Sequence, residues 1–204
     1  MPNPLVLAIT GASGAVYAVR LLEMLVTSGR DVHLTISPSG REVLRQELNV
    51  HADLRNFDVS SLVDMTEKPG RVLYHHYEDF RTPIASGSYL TGGMIICPCS
   101  ASTMSSIAYG QSNNLIHRAA EVHLKERRKL IVVTRETPLS LVQIESMKRL
   151  TEAGGIVMPA SPGWYHGVTT VLDLVDFVVA RVLDQLGVEC ALMRRWAVDR
   201  ISVS

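Results

Sequence analysis

Five apolar runs of β-forming residues, each followed by a loop of small, hydroxylated or charged residues, constrain the fold of this chain more than any single motif. The runs are residues 5–10, 32–36, 94–97, 130–134 and 155–158. Because parallel strands bring their carboxyl ends to one edge of a sheet, ligands of such sheets bind in the crevice at that edge. The five loops therefore predict a single place at which their polar residues meet.

Helical segments alternate with these strands, and the alternation predicts the fold class. Apolar residues at helical spacing predict helices over 15–27, 41–48, 103–109, 115–128, 141–153 and 169–186. Such alternation is typical of parallel strands joined by right-handed crossovers. We therefore expect an α/β protein with a three-layer α/β/α doubly wound parallel sheet, flavodoxin-like or Rossmann-like.

The segment 49–88 has a weaker pattern than the rest of the chain. It contains a possible edge strand at 71–75, and we expect a flexible or oligomer-forming loop around it. No linker, repeat or low-complexity stretch divides the sequence. We therefore expect a single domain over residues 1–204.

Composition excludes several classes of protein. A chain of 204 residues with 47% hydrophobic content can bury a full core, and its formal net charge of zero makes a nucleic-acid partner unexpected. Charges interrupt the apolar helix 169–186, and the first residues lack the pattern of a signal peptide, so we expect no membrane association. Three cysteines, an odd number, favour a reduced cytoplasmic protein.

A glycine turn follows the first strand. Gly11 and Gly14 permit a tight turn, Ser13 adds a hydroxyl, and the free amides of the next helix offer a phosphate site. Close helix packing explains the same glycines equally well.

Serine and proline, instead of an acidic residue, follow the second strand at 37–39, which argues against NAD binding. A short-chain dehydrogenase is excluded because no tyrosine is followed four residues later by lysine.

Hydroxyl groups follow the strand at 94–97. Ser100, Ser102 and Thr103 are suited to contacts with a phosphate or the edge of a flavin ring, although they are also common helix caps. Cys97 and Cys99 have no second Cys or His pair at metal-ligand spacing, so we read them as small buried residues and expect no metal.

Basic residues are concentrated on the helix predicted at 115–128. Arg118 and Lys125 are seven residues apart and therefore share a helix face. For Arg127 and Arg128 we favour a solvated helix face.

Two further charged positions differ from a solvated helix surface. Arg135 and Glu136 come directly after a buried strand, so they are expected to point into the crevice. Arg181 interrupts the apolar helix 169–186, where a charge usually has a partner, and an anionic ligand is a candidate.

Nine segments, in order along nearly the whole chain, closely resemble the UbiX-type flavin prenyltransferases. They are residues 10–15, 85–88, 98–100, 118–122, 124–128, 135–139, 162–166, 179–185 and 195–196. The sequence departs from the family pattern at 141–147, which lacks the usual His-Leu-Glu-Asn, and at Trp164, where Phe is commoner.

The resemblance implies an FMN-binding flavodoxin-like fold and a metal-independent transfer of a dimethylallyl group from dimethylallyl phosphate to N5 and C6 of reduced FMN. It leaves open whether the donor is the monophosphate or the diphosphate. The product, prenylated FMN, would serve UbiD-type decarboxylases in ubiquinone synthesis or aromatic acid decarboxylation. The family also implies a homo-oligomer, often a dodecamer, and a site shared between subunits would fit the 49–88 segment.

Matching the motifs residue by residue implies the members of the site. FMN would be held by Gly11, Ala12, Ser13, Ser37, Ser86, Ser100, Ala101, Ser102, Thr103 and Arg135. The prenyl donor would be held by Arg118, Lys125, Tyr165, Arg181 and Trp196. The catalytic residues would be Ser13, Glu47 and Glu136.

These residue types suit prenyl transfer without a metal. Lys125, Arg181 and Arg118 can stabilise the phosphate that leaves. Glu136 can remove a proton during ring closure, and Ser13 can orient the flavin or relay a proton.

Two alternative functions stay open. A flavin-dependent decarboxylase of the cysteine-decarboxylase type is disfavoured because 98–101 lacks its Pro-x-Met-Asn motif, and a non-catalytic FMN carrier would need no second phosphate site.

Overall fold

The computed structural model describes residues 2–193, which fold around one six-stranded sheet. Trp196, expected to hold the prenyl donor, and its neighbour Arg195 lie outside the described residues. The strands are β1 (Leu5–Ile9), β2 (Val32–Ile36), β3 (Val72–Tyr74), β4 (Gly93–Cys99), β5 (Leu130–Thr134) and β6 (Ile156–Pro159). The helices are α1 (Ala15–Thr27), α2 (Pro38–Leu48), α3 (Ala101–Ala108), α4 (Leu115–Lys125), α5 (Leu141–Glu152) and α6 (Val171–Leu186).

All neighbouring strands are parallel, and their order is β3-β2-β1-β4-β5-β6. In the register of the two central pairs, Leu5 lies opposite Val32 on one side and Gly93 on the other. The strand order reverses between β1 and β4, and ligands of doubly wound sheets bind at this reversal. The predicted three-layer α/β/α fold is confirmed, and β3 is the predicted edge strand.

Alternating side chains of β1 divide the interior into two cores. Leu5, Leu7 and Ile9 pack in the layer that contains α1 and α6, whereas Val6 and Ala8 pack in the layer that contains α3, α4 and α5. Every residue of β1 is fully buried. Each fully buried Leu or Ile side chain stabilises the fold by about 1.5–3 kcal/mol, so the central strands fix the position of the loops at their ends.

Helices α2 and α3 begin earlier than their apolar pattern predicts. The Ser37 side chain accepts a hydrogen bond from the Gly40 amide, and Pro38 occupies the first helical position, so α2 starts three residues before Arg41. The Ser100 side chain caps α3 in the same way. The polar residues that end β2 and β4 are therefore also the residues that start the next helices.

The weakly patterned segment 49–88 packs on the sheet through a few anchors. Leu54, Leu62 and Val63 join the core on the α1 side, and the Tyr74 hydroxyl donates a 3.0 Å hydrogen bond to the carbonyl of Leu54. Within residues 2–193, no helix is both long and apolar enough to span a membrane.

Candidate active site

Thr10 joins the two loops at the strand reversal. Its hydroxyl donates a 2.8 Å hydrogen bond to the carbonyl of Pro98 and accepts one of 2.8 Å from the amide of Ser100. Thr10 is 1% exposed, so these bonds are shielded from water. The sequence alone does not reveal this role of Thr10, because a threonine at the end of a strand carries no signal of a partner 88 residues away.

The hydroxyls at the start of α3 form one cluster. The Ser100 hydroxyl donates to Thr103 Oγ1 over 3.0 Å, and it accepts from the Thr103 amide over 3.3 Å. The Ser102 hydroxyl lies 3.3 Å from that of Ser100. The helix-cap interpretation is therefore confirmed for Ser100, and the role of the three residues toward a ligand stays a prediction.

Two glycines bring α2 against the end of β1. A Cβ atom on Gly40 would lie 2.5 Å from the carbonyl oxygen of Ile9, and one on Gly11 would lie 2.5 Å from Cβ of Ser39. The amide of Ser37 also donates to the carbonyl of Ile9 over 3.0 Å. The predicted FMN residues on the first two loops thus lie side by side, as expected at the carboxyl edge.

The Glu47 carboxylate accepts the hydrogen bonds of the backbone amides in the glycine turn. It accepts hydrogen bonds from the Gly14 amide at 2.9 and 3.1 Å and from the Ala15 amide at 2.8 Å. Partial burial alone would raise the pKa of Glu47, but the Ser13 hydroxyl, these amides and the charge of Arg135 outweigh it and lower the pKa. The free amides that the sequence predicted are therefore not free, because a carboxylate from α2 caps α1 across the chain.

This contact predicts a pH-dependent loss of stability in Glu47→Gln. We expect about 1 kcal/mol of destabilisation near neutral pH, because a neutral amide oxygen accepts the hydrogen bonds of the two backbone amides more weakly than a charged carboxylate, and solvent screens part of the effect. Since folding lowers the pKa of Glu47, its stabilisation is present above the unfolded-state pKa and is lost as pH falls through the folded-state pKa.

Urea unfolding at several pH values measures this effect. The gap in unfolding free energy between wild type and Glu47→Gln should close in acid. Glu67→Gln, which changes an exposed residue, should show no such gap. A gap that stays constant with pH would contradict an ionised Glu47 cap.

A cavity of about 240 Å³ lies beyond β5 and β6. Arg135 and Glu136 line it, and Nε of Arg135 is buried with no hydrogen-bond partner among the described residues. Glu136 is exposed and accepts a 3.4 Å hydrogen bond from the side chain of Gln143. Arg135 and Glu136 thus face a cavity at the ends of β5 and β6, and their place in a crevice shared by all five loops stays a prediction. Nε of Arg135 is a donor that an anionic or carbonyl-bearing ligand would satisfy.

Ser86, Arg118 and Lys125 form a second group, here called the α4 set. Nε of Arg118 donates a 3.1 Å hydrogen bond to the carbonyl of Ala85, which precedes Ser86. A Cβ atom on Gly87 would lie 2.9 Å from Nζ of Lys125. The predicted shared helix face of Arg118 and Lys125 therefore meets the segment that contains Ser86.

Lys125, at the end of α4, lies far from the carboxyl edge within one chain. Lys125 ends α4, and the chain then enters β5 at its amino end. Arg135 follows the other end of β5, so the five-residue strand places about 17 Å between the two positions at 3.3 Å per residue. The residues predicted for one site are thus divided between two regions of the chain.

Tyr165 and Arg181 lie outside the α4 set. Tyr165 is exposed in the loop after β6 and packs edge-on against Phe177 of α6, with ring centroids 5.7 Å apart. Arg181 is exposed and pairs with Asp184 at 3.0 Å. Because α6 and α4 pack on opposite faces of the sheet, Arg181 and Lys125 do not meet within one chain.

Arg128 corrects one expectation from the sequence. It was expected on a solvated helix face, but its guanidinium donates to the carbonyl of Tyr89 over 2.7 Å and to that of Gly87 over 2.6 Å. The helix ends at Lys125, so Arg128 lies in the following turn and reaches across to the 86–89 segment. A periodic pattern could not reveal this, because the partners are backbone atoms.

The two strand cysteines are buried, as predicted. Burial raises the pKa of the Cys97 thiol to about 12 and that of the Cys99 thiol further still. Among the residues that the structure describes, no group of three or more His, Cys, Asp or Glu side chains could hold a metal ion.

Comparison with known proteins identifies the family. The family model described as Flavoprotein matches residues 2–183. The flavin prenyltransferase UbiX of Halalkalibacterium halodurans is 46% identical over 192 residues, which cover 94% of this chain and 92% of that protein. The chain belongs to the UbiX-type flavin prenyltransferases. The resemblance inferred from the nine segments is therefore confirmed.

Solved structures agree with this assignment of the UbiX-type chain. A dodecameric FMN-dependent UbiX-like decarboxylase from Escherichia coli O157:H7 is 40% identical with a TM-score of 0.82, and the match covers 95% of this chain and 98% of that one. AnUbiX (PadA1), solved with FMN and dimethylallyl pyrophosphate, is 32% identical with a TM-score of 0.84, and the match covers 96% of this chain and 98% of that one. Both share the doubly wound architecture of the UbiX-type chain.

Proposed function

We propose that this flavin prenyltransferase joins a dimethylallyl group from dimethylallyl phosphate to N5 and C6 of reduced FMN without a metal. The product would be prenylated FMN, which a UbiD-type decarboxylase would receive. The observation that carries the proposal is Nε of Arg135, which is buried at the carboxyl edge and has no hydrogen-bond partner among residues 2–193. The predicted flavin-binding loops are expected to meet at this edge. The relatives named above support the same activity.

The residues at the carboxyl edge fit FMN. Thr10 fixes the loops after β1 and β4 relative to each other, and the hydroxyls of Ser100, Ser102 and Thr103 cluster at the start of α3. Ser37 is held to the end of β1 by its amide. Hydroxyls and helix amides are the groups that bind phosphate in such folds, and the Arg135 guanidinium adds a positive charge.

The chemistry divides between flavin and protein. When bound, reduced FMN would supply the nucleophilic N5 and C6 positions. The protein would stabilise the phosphate that leaves the allylic carbon, through Lys125, Arg118 and Arg181, with Tyr165 as a hydroxyl donor. These cations would take the place that Mg²⁺ holds in other prenyl transfers.

Proton transfer is assigned to the carboxylates at the edge. Glu136 is exposed to the cavity beyond β5, so it could remove a proton during ring closure. Glu47 already accepts two backbone amides and the Ser13 hydroxyl, so we assign it to fixing Ser13 and the glycine turn. Ser13 would then orient the flavin or relay a proton.

A second copy of the chain would complete the site. Lys125 and the carboxyl edge are separated within one chain, so the α4 set and the carboxyl edge would each form half of a site whose other half belongs to a neighbouring subunit. Large apolar side chains support assembly: Val171, Trp164 and Leu141 are each more than 70% exposed. The dodecameric relative from Escherichia coli is consistent with such an assembly.

A mass measurement tests the proposal. Purified protein would be incubated anaerobically with reduced FMN and dimethylallyl phosphate, without added metal. The molecular mass of the released flavin would then be measured by mass spectrometry. We expect a gain of one five-carbon prenyl unit. A parallel reaction with the diphosphate identifies the donor, and omission of either donor is the control.

The rival functions give different results in the same experiment. Unmodified FMN from a protein that binds it well, with both donors failing, would contradict the transferase and favour an FMN carrier or a flavin-dependent decarboxylase. Release of carbon dioxide from a carboxylic acid substrate would then separate the decarboxylase from the carrier.

A further inference from the structure

A chain of three hydrogen-bonded side chains lies under the 86–89 segment, and the proposed reaction does not use it. Nδ1 of His33 lies 2.6 Å from Nε2 of His75, and Nε2 of His33 lies 2.9 Å from the hydroxyl of Tyr89. The two imidazole rings stack, with centroids 5.0 Å apart and planes inclined by 10°. The contacts join β2, the end of β3 and the loop before β4.

Burial keeps this pair uncharged at neutral pH. His33 is 2% exposed, and its burial, followed by the nearby His75, lowers its pKa to about 4. Burial also lowers the pKa of His75. The negative charge of Asp31 raises the pKa of His33, and that of Asp79 raises the pKa of His75, but burial outweighs both effects.

Tyr89 connects the pair to the α4 set. Its amide donates a 3.3 Å hydrogen bond to the carbonyl of Ser86, and its own carbonyl accepts from Arg128, which also holds the carbonyl of Gly87. Gly87 lies so close to the side-chain ends of Glu126 and Lys125 that a Cβ atom at this position would displace them. A displacement of Tyr89 would therefore move Ser86 and the surroundings of Lys125 together.

We propose that the His33–His75 pair is a positioning device that holds residues 86–88 against α4 through the Tyr89 hydroxyl, and that protonation of the pair loosens this hold. The proposal rests on the proposed function, which assigns Ser86 to FMN and Lys125 to the donor phosphate. His33, His75 and Tyr89 act through these residues and not on the reactants.

The hydrogen-bond geometry explains how protonation of the His33–His75 pair weakens the contact between the two rings. In the neutral pair, one hydrogen lies between Nδ1 of His33 and Nε2 of His75. A proton added to His75 makes its Nε2 a donor, so His33 must donate from Nε2 to the Tyr89 oxygen. A second proton, on Nδ1 of His33, would place two N–H groups on one 2.6 Å contact and separate the rings.

The sign of the pH dependence follows from the lowered pKa values. Because the folded state lowers the pKa of both rings below their ordinary value, the unfolded or opened state binds protons first as pH falls. The hold on 86–88 therefore weakens from about pH 6.5 downward and continues to weaken toward about pH 4.

Hydrogen exchange of the ligand-free protein tests the coupling. Protection factors of the peptide covering 86–90 would be measured at about pH 7.5 and about pH 5.5 in wild type, Tyr89→Phe, His75→Gln and the control His51→Gln, which changes an exposed histidine. We expect wild type and the control to lose protection at the lower pH. At about pH 7.5, Tyr89→Phe and His75→Gln should have about tenfold lower protection than wild type, which is the effect of one lost hydrogen bond. This gap should narrow at about pH 5.5, because the hold in the wild type is then weakened as well.

FMN binding by the same variants tests the link to the site. We expect Tyr89→Phe and His75→Gln to bind FMN about tenfold more weakly than His51→Gln at about pH 7.5. Unchanged protection in both variants would overturn the proposal, and so would changed protection with unchanged FMN affinity. A wild type that binds no FMN would instead contradict the proposed function, and the exchange measurement would still decide whether the pair holds 86–88.

Discussion

Glu136→Gln is expected to slow prenyl transfer by about 10²–10⁴-fold while FMN affinity stays within a few-fold of wild type. Glutamine keeps the size of the side chain but cannot accept a proton, and Glu136 has few contacts that a structural role would require. It is exposed, and its hydrogen bond to the Gln143 side chain is long, at 3.4 Å. Single-turnover formation of prenylated FMN and a separate FMN titration measure the two effects.

Glu145→Gln is the matched control for this experiment. Glu145 is an exposed carboxylate on α5, close in sequence to Glu136, and it should show wild-type turnover. If Glu136→Gln instead lost FMN binding in proportion to its loss of activity, Glu136 would have a binding role. Wild-type turnover would remove Glu136 from the mechanism.

Two inactive variants are expected to restore activity when they assemble together. Lys125→Ala and Arg181→Ala should each lose about 10²–10³-fold in activity, because each removes a cation from the leaving phosphate. If every site combines the α4 set of one subunit with the Arg181 region of another, random mixing leaves about one quarter of the sites intact. Co-expression of two differently tagged chains, followed by tandem purification and assay, measures this recovery.

The control for complementation pairs two variants of the same half-site. Arg118 and Lys125 are both on α4, so mixed Arg118→Ala and Lys125→Ala subunits leave no intact site and should stay inactive. If mixed Lys125→Ala and Arg181→Ala oligomers also stay inactive although light scattering shows full assembly, the site would have to lie within one chain.

The sequence predicted the carboxyl edge well because its determinants are local. Glycine, serine and proline at the ends of buried runs report turns and helix starts within a few residues, and Ser100 caps α3, as the N-cap interpretation predicted. Their grouping followed from the parallel topology alone. The apolar periodicity erred at helix ends. Caps extend α2 and α3 toward the strands, and α4 ends at Lys125, three residues before its predicted end.

Contacts between distant residues could not be predicted in this way. Glu47 reaches Gly14 across 33 positions, and His33 meets His75 across 42, yet neither position has a distinctive pattern. A polar residue at such a site is indistinguishable from a surface or packing residue until the chain is folded. Similarly, helical spacing places Lys125 and Arg118 on one face but does not report which side of the sheet that face covers.

The burial of two of the three cysteines has a practical consequence for labelling. Cys97 and Cys99 are enclosed in β4 with strongly raised pKa values, so they are poor targets for maleimides or iodoacetamides near neutral pH. Cys190 follows α6 and is only half-buried. One fluorophore or spin probe could therefore be attached to the native sequence at residue 190, beyond α6, without first removing a thiol from the sheet.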